Sequence, residues 1–138
     1  YMASLNNVAT PAGIRPARSN AVRLVDLTET VKETITNGNG VVVVAAGTKI
    51  NPLVISPLTK KLFFIDARDQ RQLLLVKKLA EPEDKIILLG GSVFKAGEFL
   101  KRRVYLDVPG FHTRMKIKNL PSIVSQEGDK LKVQEVAQ

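Results

Sequence analysis

The feature that most constrains the fold is an alternation of short apolar runs and helix-forming segments that begins at Lys61. Leu62–Ile65 is unbroken and apolar, which is typical of a strand covered on both faces. Similar short runs follow at Ile86–Leu89 and Val104–Leu106. Strands separated by helical segments in this way predict a sheet with helices packed against it.

Capping signals mark the two helices between these runs. Asp69 with Gln72 three residues later predicts a capping box for a helix that continues to Ala80, and Pro82 follows its end. Ser92 comes directly after Gly90-Gly91 and is placed to cap a second helix. The spacing therefore predicts two strand–helix–strand units in succession.

The chain ends with the pattern of a hairpin. Ile123-Val124 and the run from Leu131 to Val136 flank a polar turn at residues 127–129. Before them, Pro109-Gly110 predicts a turn and residues 111–117 one or two helical turns. Crossover units that finish in an antiparallel hairpin predict a three-layer α/β sandwich over residues 61–138.

The first 60 residues follow different rules. Residues 1–21 are rich in Ala, Asn, Pro and Arg without periodicity, which predicts an extended arm. Asn37-Gly38-Asn39-Gly40 followed by the β-branched run Val41–Val44 predicts a hairpin. We therefore expect a small β-rich lead-in over residues 22–60, although residues 22–35 fit strands or short amphipathic helices equally well.

Composition excludes some chemistry and leaves other functions open. The sequence contains no cysteine, which excludes disulfides, zinc-thiolate sites and cysteine nucleophiles in this chain. Its net charge of +8 makes a basic nucleic-acid-binding module the alternative function. The basic residues are spread along the chain, however, and form local patches only at 101–103 and at Arg114, Lys116 and Lys118.

Candidate catalytic groups are sparse. The sole histidine, His112, would have to converge with Asp66 and Asp69 in one cleft to build an enzyme site. Helix capping and turn formation explain the aspartates without catalysis. Gly90-Gly91-Ser92 could present backbone N–H groups to an anion, but it lacks the spacing of a nucleotide-binding motif. We expect no catalytic, cofactor-binding or metal-binding residues.

The most informative segment is Leu120-Pro121, just before the terminal hairpin. In thioredoxin-like domains a cis-proline stands here and faces the turn after the first strand, where redox members carry two cysteines. The corresponding turn here, residues 66–72, holds charged side chains instead. The sequence thus predicts a thioredoxin-like three-layer sandwich without redox cysteines, and a protein-binding surface formed by Asp66, Arg68, Asp69, Arg71, Leu120 and Pro121.

The chain resembles the TraW family of pilus-assembly proteins from F-type conjugative type IV secretion systems. The resemblance runs in order from about residue 20 to the C-terminus and corresponds to the C-terminal region of the family. The stretches that carry it are Asn37-Gly38-Asn39-Gly40 with Val41 and Gly47, Ile50-Asn51-Pro52-Leu53, Pro57-Leu58, Leu62-Phe63-Phe64-Ile65-Asp66 with Asp69 and Gln72, Lys85-Ile86-Ile87-Leu88, Arg103-Val104-Tyr105-Leu106-Asp107 with Gly110, Leu120-Pro121, Gly128 and Leu131-Lys132-Val133.

The resemblance implies a non-catalytic assembly component in the periplasm that acts in pilus assembly and DNA transfer. It implies as partners a TrbC-like thioredoxin-fold protein, TraU and the outer-membrane core complex, with no cofactor and no small-molecule substrate. The chain departs from the family at Leu73-Leu74-Leu75, where a bulky residue is usual, and at Ser122, where alanine is usual. Residues 1–20 lack the apolar stretch of a secretory signal, so the expected localisation rests on the resemblance.

Overall fold

The computed structural model describes residues 7–107 and 111–137. None of the described helices is long and apolar enough to cross a bilayer. The elements, in chain order, are β1 (Asn7–Val8), β2 (Arg15–Pro16), β3 (Ala21–Val25), β4 (Glu29–Thr30), β5 (Ile35–Thr36), β6 (Val42–Val44), β7 (Lys49–Ile50), α1 (Pro52–Ile55), β8 (Leu62–Ile65), α2 (Gln70–Leu79), β9 (Lys85–Leu88), β10 (Gly91–Ser92), α3 (Val93–Leu100), β11 (Tyr105–Leu106), α4 (Phe111–Arg114), β12 (Asn119–Leu120), β13 (Ser122–Glu127) and β14 (Lys130–Glu135).

A six-stranded mixed sheet forms the centre of the described fold, with the strand order β11-β9-β8-β13-β14-β3. β8, β9 and β11 run parallel, and Phe63 lies opposite Ile86 in this part of the sheet. β13, β14 and β3 continue the sheet by antiparallel pairing, with Val124 opposite Val133. The predicted mixed α/β architecture and the terminal hairpin are therefore confirmed.

Alternating side chains of the strands supply two separate apolar layers. Phe63 and Ile65 point to the side of α2 and α3, where they pack with Val76 and Ala96. All four are 1% exposed or less. Burying a side chain of the size of Phe63 contributes about 2–3 kcal/mol relative to leaving it in water, so this layer holds the helices in place.

The opposite face of the sheet is covered by shorter pieces of chain. Phe64, Ile87 and Val133 pack there with Leu53 of α1 and Met115, which follows α4. Ile14 from the N-terminal segment, Leu27 and Leu58 contact the same cluster and remain partly exposed. This second layer is thus assembled from short helices and irregular segments.

The capping predictions are confirmed in part. Asp69 is the N-cap of α2 and its carboxylate accepts a hydrogen bond from the backbone N–H of Arg71. Ser92 caps α3 by accepting from the backbone N–H of Lys95 at 3.2 Å. Gln72, predicted to complete the capping box, instead accepts a 2.8 Å hydrogen bond from the backbone N–H of Asp66. The predicted turn at Pro109-Gly110 lies outside the described residues.

Residues 29–50 form a small lobe of two short ladders, here called the hairpin lobe. β5 pairs with β6 around the predicted Asn37–Gly40 turn, and β4 pairs with β7. Ile35, Val41 and Val42 are each at least half exposed. β3, which the sequence groups with this lead-in, instead adds an edge strand to the main sheet. The domain boundaries at 21 and 60 remain a prediction.

Candidate docking surface

The turn between β8 and α2 contains an ion pair at its start. Arg68 donates from Nε to Oδ1 of Asp66 at 3.0 Å and from Nη2 to Oδ2 at 2.7 Å. This two-point contact is the strongest arrangement that a guanidinium and a carboxylate can make. The pair raises the pKa of Arg68, chiefly through the hydrogen bond to Asp66.

A second ion pair repeats the same spacing at the start of α2. Arg71 donates from Nε and Nη2 to the two carboxylate oxygens of Asp69 at 3.1 and 3.0 Å. The hydrogen bond from Arg71 is the main reason that the pKa of Asp69 lies below its ordinary value. The side chains of Arg68 and Arg71 are 63% and 65% exposed. The turn therefore presents two surface dipoles whose charges are balanced within the turn.

Close packing beneath the turn requires glycine on the neighbouring loop. A Cβ atom at Gly90 would lie 2.6 Å from Oδ1 of Asp66 and 2.6 Å from Oγ1 of Thr10. Gly91 adopts a φ of +91°, and a Cβ there would lie 2.9 Å from the Cβ of Ala67. The loop after β9 is thus pressed against both the turn and the N-terminal segment.

The N-terminal segment crosses this surface in two places, and residues 7–17 are here called the arm. At one end, β1 pairs antiparallel with β10, which places Val8 opposite Gly91. In the middle, the hydroxyl of Thr10 accepts a 2.7 Å hydrogen bond from Nη2 of Arg68. The arm is therefore joined to the predicted docking turn by both backbone and side-chain contacts.

The other end of the arm pairs with the strand that precedes Pro121. The backbone N–H of Arg15 donates to the carbonyl of Lys118 at 3.1 Å, and that of Ala17 to the carbonyl of Leu120 at 2.7 Å. The side chain of Ala17 is only 7% exposed. The two strands run parallel, β2 beside β12.

The structure places the six predicted docking residues in two different environments. Asp66, Arg68, Asp69 and Arg71 lie together in one exposed or half-exposed turn, whereas Leu120 and Pro121 are buried. The Leu120–Pro121 peptide bond is cis. Since the arm bonds to Arg68 and to the carbonyl of Leu120, it connects the two groups. Whether they bind a partner remains a prediction.

The arm residues are the part of this surface that sequence reasoning did not identify. Thr10, Arg15 and Ala17 act largely through backbone groups and one hydroxyl, which leave no periodic signal in the sequence. The only available hint is the partly apolar character of the segment, since Ile14 also packs against the core.

His112 forms a separate cluster with Asp107. Its Nδ1 lies 2.5 Å from Oδ2 of Asp107, and its Nε2 lies 3.4 Å from the hydroxyl of Thr113. The second distance exceeds the 2.6–3.2 Å or so at which a base activates a nucleophile. Among the described residues, no hydrogen bond or ion pair joins His112 to Asp66 or Asp69. The structure thus gives no support to a site shared by these three side chains.

A shallow groove borders the turn, with a volume of about 560 Å³. Its walls include Arg68, Ser92, Lys95 and Phe99, so it is mixed in polarity with two basic side chains. Within residues 7–107 and 111–137, no group of three acidic or histidine side chains is arranged to hold a metal ion.

The two basic patches differ in their surroundings. In the 101–103 patch, Arg102 donates to the backbone carbonyls of Glu81, Pro82 and Asp84, so its charge is used to hold the loop after α2. Lys116 and Lys118 are exposed, and among the described ion pairs neither has a partner. Lys101 and Arg103 are likewise exposed and outside the described ion pairs, so both patches carry unpaired positive charge, and one of them lies on the segment that receives the arm.

Fold and surface together define a small mixed α/β protein with a charged turn that is contacted by its own N-terminal arm. No family model matches the chain, and no solved structure matches it. Over 125 residues, or 87% of the chain, it is 34% identical to Protein TraW of Escherichia coli strain K12. The chain belongs to the TraW family. It spans 60% of the length of that relative.

Proposed function

We propose that this protein is a non-catalytic component of an F-type conjugative type IV secretion system. It acts in the periplasm, in pilus assembly and DNA transfer, by binding other proteins of the apparatus. The single observation that carries the proposal is the 34% identity to TraW over 87% of the chain. Its expected partners are a TrbC-like thioredoxin-fold protein, TraU and the outer-membrane core complex.

The geometry of the 66–72 turn supports binding as the mode of action. Two bidentate ion pairs fix the directions of four charged side chains on a turn anchored by the buried Gln72. A rigid, patterned surface loses little side-chain entropy when a partner docks on it. We therefore propose Asp66, Arg68, Asp69 and Arg71 as partner contacts.

We further propose that the domain is thioredoxin-like. The support is its sheet, in which parallel strands β8, β9 and β11 are extended by the β13–β14 hairpin, with α2 and α3 on one face. The segment before β13 contains Pro121 at the position where that class carries its proline. Backbone assignment of the domain in solution, with its strand pairings, tests this part of the proposal.

Localisation tests the proposal as a whole. The complete gene product, tagged at its C-terminus and released from donor cells by osmotic shock, is expected in the periplasmic fraction. There it should co-purify with Tra and Trb proteins of the same transfer system. Exclusive recovery from the cytoplasm would contradict the proposed function.

A charge reversal tests the docking turn separately. Arg68→Glu together with Arg71→Glu is expected to weaken co-purification of the partner while the fold persists, since both arginine side chains are largely exposed. The matched control is Lys49→Glu with Lys78→Glu, which changes the net charge equally at exposed positions away from the turn. Equal loss of binding in the two double variants would refute a specific role of the turn.

A further inference from the structure

The arm is a separate piece of structure that occupies backbone groups of the sheet domain. It pairs at one end with Gly91-Ser92 and at the other with residues 118–120, and these two sites are here called the strand-binding strip. Each pairing is only two residues long. Such short ladders are open to exchange, because few hydrogen bonds must break for the arm to leave.

The contacts of the strip with the arm come mainly from the backbone. The carbonyls of Lys118 and Leu120 accept from N–H groups of the arm, and such bonds place little demand on side-chain identity. Pairing of an extended peptide with an exposed strand is a common mode of protein recognition, in which the main chain gives affinity and the side chains give specificity. The strip can therefore accept another extended segment in the same way.

The surface around this strip carries more positive than negative charge. Arg15 and Arg18 of the N-terminal segment are exposed and line a pocket with Glu135, whose carboxylate is already bonded to Arg23 and Asn119. Lys116 and Lys118 are exposed on the segment that receives the arm, and neither they nor Arg15 and Arg18 take part in a described ion pair. The arm therefore adds cations to a basic surface, whereas an acidic segment would meet opposite charge there.

We propose that an extended acidic segment of a partner protein replaces the arm on the strand-binding strip. The arm covers the strip in the free protein and keeps its backbone groups paired. The partner gains backbone hydrogen bonds to residues 118–120 and favourable contacts with Lys116 and Lys118. This inference deepens the proposed function, because it concerns a strip continuous with the proposed docking turn.

The first test weakens the attachment of the arm to the strand-binding strip in the full chain and measures binding of a defined peptide. Arg15→Pro removes the N–H that bonds to the carbonyl of Lys118, while Arg15→Ala removes the same charge and keeps that N–H. The probe is a fluorescent copy of residues 7–20 carrying Arg15→Glu and Arg18→Glu. An unaltered copy and a copy with alanine at both positions serve for comparison.

We expect the acidic copy to bind the Arg15→Pro chain about tenfold more tightly than the Arg15→Ala chain, because the tethered arm competes at high effective concentration. Within the Arg15→Pro chain, affinity should decrease from the acidic to the alanine to the unaltered copy. Equal affinity for both chains, or for all three copies, would overturn the inference.

A second variant leaves the strip intact and locks the arm. Arg15 and Asn119 lie opposite each other on β2 and β12, and paired strands are about 4.8 Å apart, within the range a disulfide can bridge. Because the chain has no other cysteine, Arg15→Cys with Asn119→Cys gives a single possible bond. The oxidised form is expected to lose the acidic peptide and the reduced form to regain it. Equal affinity of the oxidised and reduced forms for the acidic peptide would contradict displacement of the arm.

These assays separate the two proposals. A chain that fails both peptide tests but still co-purifies with periplasmic transfer proteins would overturn the strand replacement and leave the proposed function standing. A chain that binds the acidic peptide as expected but is found in the cytoplasm of donor cells would support the strand replacement and overturn the proposed function.

Discussion

The arm and the hairpin lobe are both built from strands of two or three residues, yet they relate to the sheet domain in different ways. The hydrogen bonds of the hairpin lobe join its own strands, for example Val31 with Thr48 and Asn37 with Val41. Those of the arm end on the sheet domain, at Arg68, Lys118 and Leu120. The hairpin lobe is thus the more exposed of the two, and the arm is the one that is bonded to the sheet domain.

This difference shows that apolar content does not decide which short segment attaches to a domain. Val41 and Val42 remain 58% and 57% exposed although their β-branched side chains favour burial. Ala17, with a single methyl group, is 7% exposed, and its backbone N–H bonds to the carbonyl of Leu120, while Ile14 of the same arm packs against the core. Backbone hydrogen bonds and apolar contacts to the sheet domain therefore hold the arm together.

The largest expected effect separates the sheet domain from the hairpin lobe. Phe63→Ala removes a side chain that is 1% exposed, and should lower the free energy of unfolding by about 3–5 kcal/mol. Ile35→Ala, at a 50% exposed position in the lobe, should change it by less than about 1 kcal/mol. Urea denaturation of both variants measures this contrast, and similar losses would mean that the lobe shares the core.

A smaller effect is expected where the receiving strand is anchored. Glu135 is 7% exposed and accepts hydrogen bonds from Arg23 at 2.8 Å and from Asn119. Arg23→Ala removes the charged hydrogen-bond donor of this buried carboxylate and should lower the free energy of unfolding by about 1–3 kcal/mol. Arg18→Ala, an exposed arginine outside the described ion pairs, is the control and should change stability by less than about 0.5 kcal/mol. Thermal unfolding that ranks the two variants equally would contradict the anchoring role.

Loss of the helix cap in the docking turn should have the next smaller effect. Asp69→Ala removes the cap of α2 and the ion pair with Arg71, and should cost about 1 kcal/mol at neutral pH. Because the folded pKa of Asp69 is lowered, this contribution is complete above the unfolded pKa and disappears as the pH falls through the folded one. The stability difference between wild type and variant should therefore shrink as the pH is lowered below the ordinary pKa of an aspartate. A difference that stays constant with pH would assign the effect to something other than the carboxylate.

The smallest effect is expected in the turn of the hairpin lobe. Asn37 accepts hydrogen bonds from the backbone N–H groups of Asn39 and Val41 at 2.8 and 3.1 Å. All three residues are exposed, so Asn37→Ala should lower the global free energy of unfolding by only about 0.5 kcal/mol or less. Gly38→Ala is a suitable control at the same turn, since its Cβ would meet open space. A loss as large as that of Asp69→Ala would show that the lobe is coupled to the sheet domain.

The sequence predicted the elements whose signals are local. Apolar runs such as Leu62–Ile65 identified the buried strands, and Asp69 and Ser92 marked the starts of two helices. The role of Gln72 could not be predicted, because its hydrogen bond to Asp66 depends on how the preceding strand enters the turn. A capping motif gives only the spacing, and the tertiary geometry decides which N–H the side chain reaches.

The candidate site was predictable only in part for a similar reason. The four charged residues of the 66–72 turn lie together because they are neighbours in the chain. The pairing of Ala17 with Leu120 joins residues about one hundred positions apart through backbone groups, which every sequence contains. Contacts of this kind leave no compositional signal, so the arm could be predicted as extended but not placed.

Amide hydrogen exchange of the unmodified chain tests the central claim most directly. As the acidic peptide is added, the amides of Arg15 and Ala17 should exchange faster, because the arm leaves the carbonyls of Lys118 and Leu120. Val124 and Val133, in the middle of the sheet, should keep their protection. Unchanged or slower exchange at Arg15 and Ala17 at saturating peptide would mean that the arm stays in place, and would contradict replacement of the arm by a partner strand.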